Sequence, residues 1–448
     1  RYRRMMQTVA DAKYSYKNRY IVEGIFQYAG SSRFDRKHRF QPFASAGIAW
    51  VVSNEEFMKK ADWIDYLKIK VQYGVIGAYE NAFGSAYRYQ SDFSRANSGY
   101  FGPVLNLDTW FGNKQWQAQK STINKLANPN LDWEKLSMWQ VGLDFDFCRD
   151  FSISATVYGR QSYDVIVDAG SIVPKVFGIS GPTVYANVTS NKTLGYELSL
   201  GWRHSFGDFT VFAAANACHW NTVYNKLLSD DYLYDYQKRT GTSIHNIRGL
   251  ECIGKYETLE QVQTVPSYST VTIGDLMYKD QNNDGKIDSN DEVVIGNSQP
   301  DLRYSVRLGF EYKGLSLELI GSGKTGYDFM CSSEYFWNGW GDGNYSAFVR
   351  DNLGGAYPNI SYVKSTNNFV KSTFWLRDAS WFKLQNVNLS YDVPLRTRKV
   401  LKGLMLKLEG QNLATITNLE YVDPEAPTSG ISAYPLLRIF TAGVKFKF

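Results

Sequence analysis

The sequence lacks any continuous apolar run of about 20 residues, the length that a helix needs to cross a bilayer, so no membrane-spanning helix is predicted. The opening residues, RYRRMMQTVADAKYSYKNRY, contain no apolar segment of the kind found in secretory signal peptides. Two interpretations follow: a mature cytosolic protein, or a chain whose natural N-terminus lies elsewhere. The strand pattern of the chain favours the second.

Residues that build small scaffolds and metal centres are also scarce. The four cysteines, Cys148, Cys218, Cys252 and Cys331, form no CxxC pair, which argues against a disulfide scaffold, and four histidines at unrelated spacings disfavour a zinc site. The net charge is only +5 and the basic residues form no run, so no nucleic-acid partner is predicted. No Ser/His/Asp or Cys/His arrangement suggests catalysis, so we do not expect an enzyme.

Aromatic residues are abundant, at 16% of the chain, which favours β-structure, a membrane interface or ligand stacking. The dominant period is two. In the segment 303–312 one face carries Tyr304, Val306, Leu308, Phe310 and Tyr312. The other face carries Arg303, Ser305, Arg307, Gly309 and Glu311. A tight turn at Lys313-Gly314 and a second alternating segment complete a predicted hairpin.

The same design recurs along the chain and predicts about 13 strands. They are about 10–14 residues long, against about 5–6 in soluble sheets. Short connections are predicted near 17–19, 148–150, 205–207 and 313–314, and long ones at about 76–135, 164–191, 223–301 and 324–379. The chain ends on an alternating segment that closes with Phe448. Long strands, aromatic strand ends and alternating connection lengths together predict an all-β, transmembrane antiparallel β-barrel.

One long connection contains a motif with the spacing of a calcium loop. Its candidate oxygen ligands are the side chains of Asp280, Asn282, Asp284, Asp288 and Asp291, together with the carbonyl of Lys286. Gly285 supplies the sharp turn that such loops need, whereas the last ligand is Asp instead of the usual Glu. The alternative is a loop rich in Asx turns that binds no metal.

Two of the long connections are rich in rings that stack well on sugars. The candidate contacts to a ligand or to a lid protein are Trp110, Trp116, Tyr335, Trp337 and Trp340. The alternative, and the more common role for any single ring, is packing of the loops on each other. The segments Asp423-Pro424-Glu425 and 375–380 are interpreted as structural, the first as a loop anchor and the second as an entry to the next strand.

Several segments closely resemble the SusC/RagA-like TonB-dependent transporters of the Bacteroidetes outer membrane. They include YAGSSRF (28–34), SNEEFMKKADWIDYLKIKVQYG (53–74), NPNLDWE (128–134), YKDQNNDGKIDSNDEVVIGNSQPDLRYSVRLGFEYKG (278–314), TFWLRDASWFKLQNVNLSYDVP (373–394) and EGQNLATITNLEYVDPE (409–425). The resemblance covers only the C-terminal part of that family. It implies that residues 1–448 are about 13 C-terminal strands of a barrel of the 22-stranded, plugged kind.

The resemblance also implies a function. Such a protein is a multi-pass outer-membrane importer of oligosaccharides or oligopeptides that pairs with a SusD-like surface lipoprotein. It draws energy from the TonB complex through a plug, so we expect a plug-bearing N-terminal segment to complete the barrel, because an open sheet leaves edges that lipid does not tolerate. The rival interpretation is a soluble or surface-attached β-rich glycan-binding protein with a calcium-stabilised loop.

Overall fold

The computed structural model describes residues 4–78, 88–95, 110–111, 116–117, 121–174, 183–337, 345–353, 355–360, 364–395, 401–427 and 436–448. These residues include an antiparallel sheet of thirteen long strands, which lie side by side in the order in which they follow one another along the chain. The all-β prediction and the strand number are thereby confirmed. Within the described residues, no helix is both long and apolar enough to cross a membrane.

The strands of the sheet are numbered β1 to β13. They are β1 (Met5–Tyr16), β2 (Tyr20–Ser31), β3 (Phe40–Val51), β4 (Ile64–Ala78), β5 (Glu134–Phe147), β6 (Phe151–Asp168), β7 (Tyr185–Phe206), β8 (Phe209–Lys226), β9 (Leu302–Tyr312), β10 (Leu315–Thr325), β11 (Trp381–Asp392), β12 (Gly403–Thr417) and β13 (Ile439–Lys447). Their lengths run from 9 to 22 residues, which is long for a soluble sheet.

The connections contain short elements of their own. Helix α1 (Leu259–Thr264) begins at a capping box formed by Thr258 and Gln261, and helix α2 (Ala347–Asn352) is capped by Ser346. The short strands are Asp92–Arg95, Trp110–Phe111, Trp116–Gln117, Ser121–Lys125, Asn246–Gly249, Cys252–Lys255, Leu276–Tyr278, Val293–Asn297, Asp328–Met330 and Leu376–Asp378. The 3₁₀ helices are Val52–Asn54, Glu56–Lys60, Gly170–Ile172, Asp235–Gln237, Ser289–Asp291 and Thr373–Trp375.

The tight turns lie where the sequence predicted them. Consecutive residues have positive φ at Lys17-Asn18, Cys148-Arg149 and Lys313-Gly314, as two-residue hairpin turns of type I′ require. The long connections after β4, β8 and β10 also agree with the prediction. The one after β6 is shorter than expected, because β6 and β7 keep pairing through bulges near Asp164, where φ is +56°. A further long connection lies between β12 and β13 and contains Asp423-Pro424-Glu425, the segment interpreted from the sequence as a loop anchor.

The strand register separates the two faces of the sheet. One row of cross-strand partners is apolar: Ile69, Leu143, Ala155, Leu198 and Ala217. The adjacent row is polar: Lys68, Asp144, Ser154, Ser199 and Asn216. Large apolar side chains of the first face are exposed, and Leu308, for example, is 47% exposed. An apolar outer face and a polar inner face are the arrangement of a membrane barrel with a hydrated interior.

The buried core lies at one end of the sheet, among the long connections. One cluster packs the strand ends around Trp133, with Phe34, Phe43 and Leu131 against it. A larger cluster lies wholly within the long connections that follow β8 and β10. Within the described strands, β1 and β13 each pair on one side only, so the thirteen strands form an open sheet.

Candidate functional site

The two long connections after β8 and β10 fold together into one body, here called the loop unit (the described residues of 227–301 and 326–380). Its buried cluster includes Leu276, Tyr278, Phe336 and Trp375, all at most 2% exposed. Residues about 90 positions apart in the chain therefore share one core. Burial of these large side chains stabilises the fold of the connections themselves.

Two adjacent asparagines inside this core join the connections by hydrogen bonds. Asn367 donates to the Leu276 carbonyl at 2.7 Å, and Asn368 accepts from the Leu276 amide at 2.9 Å. Asn368 also donates to Asp275 Oδ1, and its carbonyl accepts from Trp375 Nε1 at 2.8 Å. Both asparagines are fully buried. No sequence pattern marked these two residues, because burial of an asparagine depends on partners that are distant in the chain.

The calcium-like loop is closed by its own side chains. Asp280 accepts hydrogen bonds from the amides of Asp284 and Gly285, and Asp284 accepts from the amide of Lys286. The side chain of Asn282 also accepts from the amide of Asp284. Gly285 has φ of +80°, as the sharp turn of a calcium loop requires. These hydrogen bonds are the Asx turns of the alternative interpretation. The atoms that could bind a metal ion in this loop are all oxygens.

The second half of the loop is held in the same way. Asp291 is completely buried and accepts from the amides of Gln281 and Asp288, while Asp288 caps the 3₁₀ helix Ser289–Asp291. Across the described ranges, no three His, Cys, Asp or Glu side chains are grouped closely enough to hold a metal ion. The amides of the loop occupy part of the carboxylate surface that a cation would use.

The loop is docked on neighbouring segments of the loop unit. Tyr236 donates from its hydroxyl to the Asn290 carbonyl at 2.6 Å, and Tyr234 stacks on Tyr236 with ring centroids 5.3 Å apart. Glu251 accepts hydrogen bonds from Gln281 Nε2 at 2.9 Å and from Lys279 Nζ at 3.3 Å. The hydrogen bond from Gln281 and then that from Lys279 lower the pKa of Glu251 below its usual value.

The predicted ligand-contacting rings have different surroundings. Tyr335 packs against Phe336 with ring centroids 5.3 Å apart. Trp337 packs against Trp375 of the core with ring centroids 6.1 Å apart. Trp110 and Trp116 belong to two short strands that pair with each other, Trp110–Phe111 and Trp116–Gln117. Trp340 lies outside the described residues. The rings of Tyr335 and Trp337 thus help to pack the loop unit, and their role as ligand contacts remains a prediction.

The polar face of the sheet carries ion pairs between neighbouring strands. Lys70 contacts Asp144 at 3.0 Å, and Asp144 also accepts from Ser154 at 2.8 Å. Arg307 pairs with Glu318 on the next strand. These pairs place charges of both signs on this face, which makes it hydrophilic.

A buried lysine anchors the last long connection to the polar face. Lys383 of β11 is 2% exposed, and its Nζ lies 3.5 Å from Asp423 and 3.2 Å from Glu425. The geometry meets no hydrogen-bond criterion, so the contact is mainly electrostatic. The interpretation of Asp423-Pro424-Glu425 as a loop anchor is confirmed, and its partner Lys383 is the residue that sequence reasoning missed.

Cysteine chemistry plays no visible part in this region. The four cysteines are free thiols. Burial raises the pKa of Cys331 to about 11, so its thiol stays protonated and unreactive at neutral pH.

Comparisons with known proteins give a consistent result. Residues 117–413, more than half of the chain, match the family model described as TonB dependent receptor-like, beta-barrel. The TonB-dependent receptor P26 of Formosa agariphila is 24% identical over 97% of this chain and 45% of its own length. The TonB-dependent receptor SusC of Bacteroides thetaiotaomicron is 25% identical over 97% of this chain and 43% of its own length.

Solved structures agree on the fold. A structure of the RagAB peptide importer in an open-open state superposes with a TM-score of 0.76 at 22% identity, covering 99% of this chain and 47% of that chain. The closed-closed state of the same importer gives a TM-score of 0.75 at 22% identity, covering 99% and 48%. The present chain therefore spans about half the length of the curated relatives it matches.

Proposed function

The chain belongs to the family of TonB-dependent receptor-like β-barrels, and on that premise we propose that it is part of an active importer of oligosaccharides or oligopeptides. As a member of this family it is a multi-pass outer-membrane protein, a transporter component and not an enzyme. The transported molecule, the partners and the energy source belong to the proposal.

The observation that carries the proposal is the division of the thirteen-stranded sheet into an apolar and a polar face. An apolar face as exposed as that of β9 is stabilised by contact with lipid, and a polar face with ion pairs suits a hydrated passage. In the rival interpretation, a soluble glycan-binding protein, the apolar face would be exposed to water, which is unfavourable for so large an apolar surface.

We further infer how the rest of the transporter is arranged. Edge strands β1 and β13 have free hydrogen-bonding groups that lipid does not satisfy, so other strands of the same transporter complete the barrel. A plug-bearing N-terminal segment fills the polar interior and receives energy from the TonB complex. A SusD-like lipoprotein covers the end of the sheet that carries the loop unit. The structural similarity to the RagAB peptide importer supports import as the function.

The test uses the complete transporter in its own bacterium. Cells receive fluorescent oligosaccharides and oligopeptides, and accumulation is compared between wild type, a strain without the transporter, and a strain depleted of TonB. We expect one class of oligomer to accumulate at least about 10-fold more in wild type than in either altered strain. Equal accumulation in all three strains for every oligomer would contradict the proposal.

Calcium binding by the loop 280–291 remains a proposal of its own. The residues that would hold the ion are the carboxylates and carbonyls named for the motif, and the bound ion would tie the loop more firmly to the unit. The oxygen ligands of the loop and the turn at Gly285 support calcium binding. The hydrogen bonds that backbone amides donate to its carboxylates support the metal-free alternative.

Terbium luminescence of the complete protein distinguishes the two interpretations. Calcium binding predicts a terbium signal that calcium displaces and that Asp284→Asn weakens, while Asp231→Asn, an exposed change in the same loop unit, leaves it intact. A signal equal in the three proteins, or none, would favour the Asx-turn loop.

A further inference from the structure

A polar cavity of about 530 Å³ lies in the loop unit against the end of β8. Its lining includes Tyr224, Arg239, Arg248, Tyr268, Glu292 and Lys371. Ligand pockets in proteins commonly fall between about 300 and 1,000 Å³, so the cavity has room for one sugar ring or one amino-acid unit of an oligomer. None of the residues predicted from the sequence to bind ligand lies in this lining.

The backbone around the cavity is fixed by hydrogen bonds. The Tyr224 amide donates to the Thr242 carbonyl at 3.0 Å, and the Gly241 amide donates to the Tyr224 carbonyl at 2.7 Å. The segment that carries Arg239 therefore continues the ladder of β8. On the opposite wall, the Lys371 carbonyl accepts from the Leu250 amide at 2.9 Å. A rigid frame lowers the entropy that a ligand loses on binding.

One guanidinium is oriented before any ligand arrives. Arg248 donates from Nη1 to the Tyr236 carbonyl and from Nη2 to the Lys238 carbonyl, both at 3.0 Å. Two of its five N–H groups are used, and three remain for another acceptor. Burial, followed by the neighbouring charge of Arg239, lowers the pKa of Arg248, although Tyr232, Asp230 and Glu292 oppose this shift.

The charges around the cavity do not cancel. It has three cationic side chains, Arg239, Arg248 and Lys371, and one carboxylate, Glu292. In the part of the chain that the structure describes, none of the three cations forms an ion pair. Asp230 lies near Arg248 and accepts hydrogen bonds from the amides of Arg239 and Thr240, and its charge leaves three cations against two carboxylates. The lining of the cavity therefore carries a net positive charge.

We propose that this cavity binds carboxylate groups of the transported oligomer, so that the substrate is a uronate-containing oligosaccharide or an acidic oligopeptide. The planar guanidinium of Arg248 matches the two oxygens of a carboxylate, Arg239 and Lys371 supply further positive charge, and Tyr224 and Tyr268 offer rings beside it. The proposal rests on the import function proposed above and names its ligand class.

The test measures binding by calorimetry to the complete transporter in detergent at low ionic strength. The probes are an oligogalacturonate with its neutral methyl ester, and tetraglutamate with tetraglutamine. We expect one anionic probe to bind at least about 10-fold more tightly than its neutral counterpart, which also identifies the source of the carboxylate.

Variants assign the preference to the cavity. The double variant Arg239→Gln/Lys371→Gln changes two exposed side chains and should lose about 10-fold in affinity for the anionic probe only. Glu292→Gln removes the carboxylate that opposes the three cations, so the affinity for the anionic probe should increase. The matched control is Lys279→Gln, a cation of the same loop unit that lies outside the cavity and is paired with Glu251. Affinity of the control should equal that of wild type.

The outcomes are distinct. Equal binding of charged and neutral probes, absence of binding by all of them, or a preference that survives the double variant would each overturn the proposal. If a neutral oligomer still accumulates in a TonB-dependent way, import stands and only the ligand class fails. If anionic probes bind but no oligomer accumulates in a TonB-dependent way, the cavity stands and the import function fails.

Discussion

At the scale of single residues, the alternation along each strand decides whether a side chain faces lipid or the polar interior. Leu308, near the middle of β9, has Ala213 and Leu319 as its cross-strand partners. Ser305 on the same strand lies on the other face, between Asn216 and Ser322. The sequence alone predicted this division, because a period of two leaves no ambiguity about which residues share a face.

Leu308→Arg should impair assembly in the outer membrane, because an arginine on the lipid face costs about 2–4 kcal/mol near the midplane. The matched control is Ser305→Arg, whose side chain meets the hydrated interior. The measurement is the amount of heat-modifiable protein in outer-membrane fractions. Equal levels of the two variants would contradict the assignment of the faces.

Lys383 is the residue whose role the sequence concealed, since a lysine on a polar strand face looks like any solvated charge. Lys383→Met should leave Asp423 and Glu425 without their cation and loosen the connection between β12 and β13. The loss should be smaller than the about 3–5 kcal/mol of a fully buried pair, because both carboxylates are about a quarter exposed.

Hydrogen exchange of residues 418–427 measures this effect. Lys383→Met should exchange faster there than wild type, while Lys407→Met, which removes an exposed lysine paired with Glu409, should not. Unchanged exchange in Lys383→Met would mean that the connection is held by other contacts.

At the scale of elements, hairpins were predictable and loop folding was not. Turns such as Lys313-Gly314 are local, since the φ values they need are met by a few residue types. The strands β6 and β7 are longer than the sequence predicted. Bulges interrupt the alternation of apolar and polar residues there, while the pairing of the two strands continues. The core of the loop unit joins Leu276 to Asn367, and no local pattern reveals a contact between residues so far apart.

The docking of the loop 280–291 through Glu251 should depend on pH in a defined direction. The pKa of Glu251 is lower in the folded protein than in the unfolded chain, so its stabilising contribution is complete above the unfolded value of about 4.3 and is lost as pH falls through the lower folded value. The amides of residues 279–291 should therefore exchange hydrogen more slowly in wild type than in Glu251→Gln, both at about pH 7 and at about pH 5.

Hydrogen exchange, corrected for the intrinsic rate at each pH, provides the measurement. The difference between wild type and Glu251→Gln should vanish only when the pH falls below the lowered pKa of Glu251, where both side chains are neutral. A difference that disappears already near pH 5, or that grows as pH falls, would contradict the assigned contact.

At the scale of the whole molecule, the thirteen strands form an open sheet with a folded loop unit at one end. The barrel wall could be predicted from the sequence because its pattern repeats in every strand. The cationic cavity could not, because Arg239, Arg248 and Lys371 are brought together only when two long connections fold as one body. Residues that form a site across such a distance carry no shared spacing in the sequence.

The most direct test of the account is purification from native membranes in mild detergent, through a tag on this chain, with mass spectrometry of all proteins recovered. We expect a heat-modifiable membrane protein that is recovered with a plug domain and a SusD-like lipoprotein. Recovery of the chain alone, soluble in water without detergent, would contradict the assignment to an outer-membrane importer.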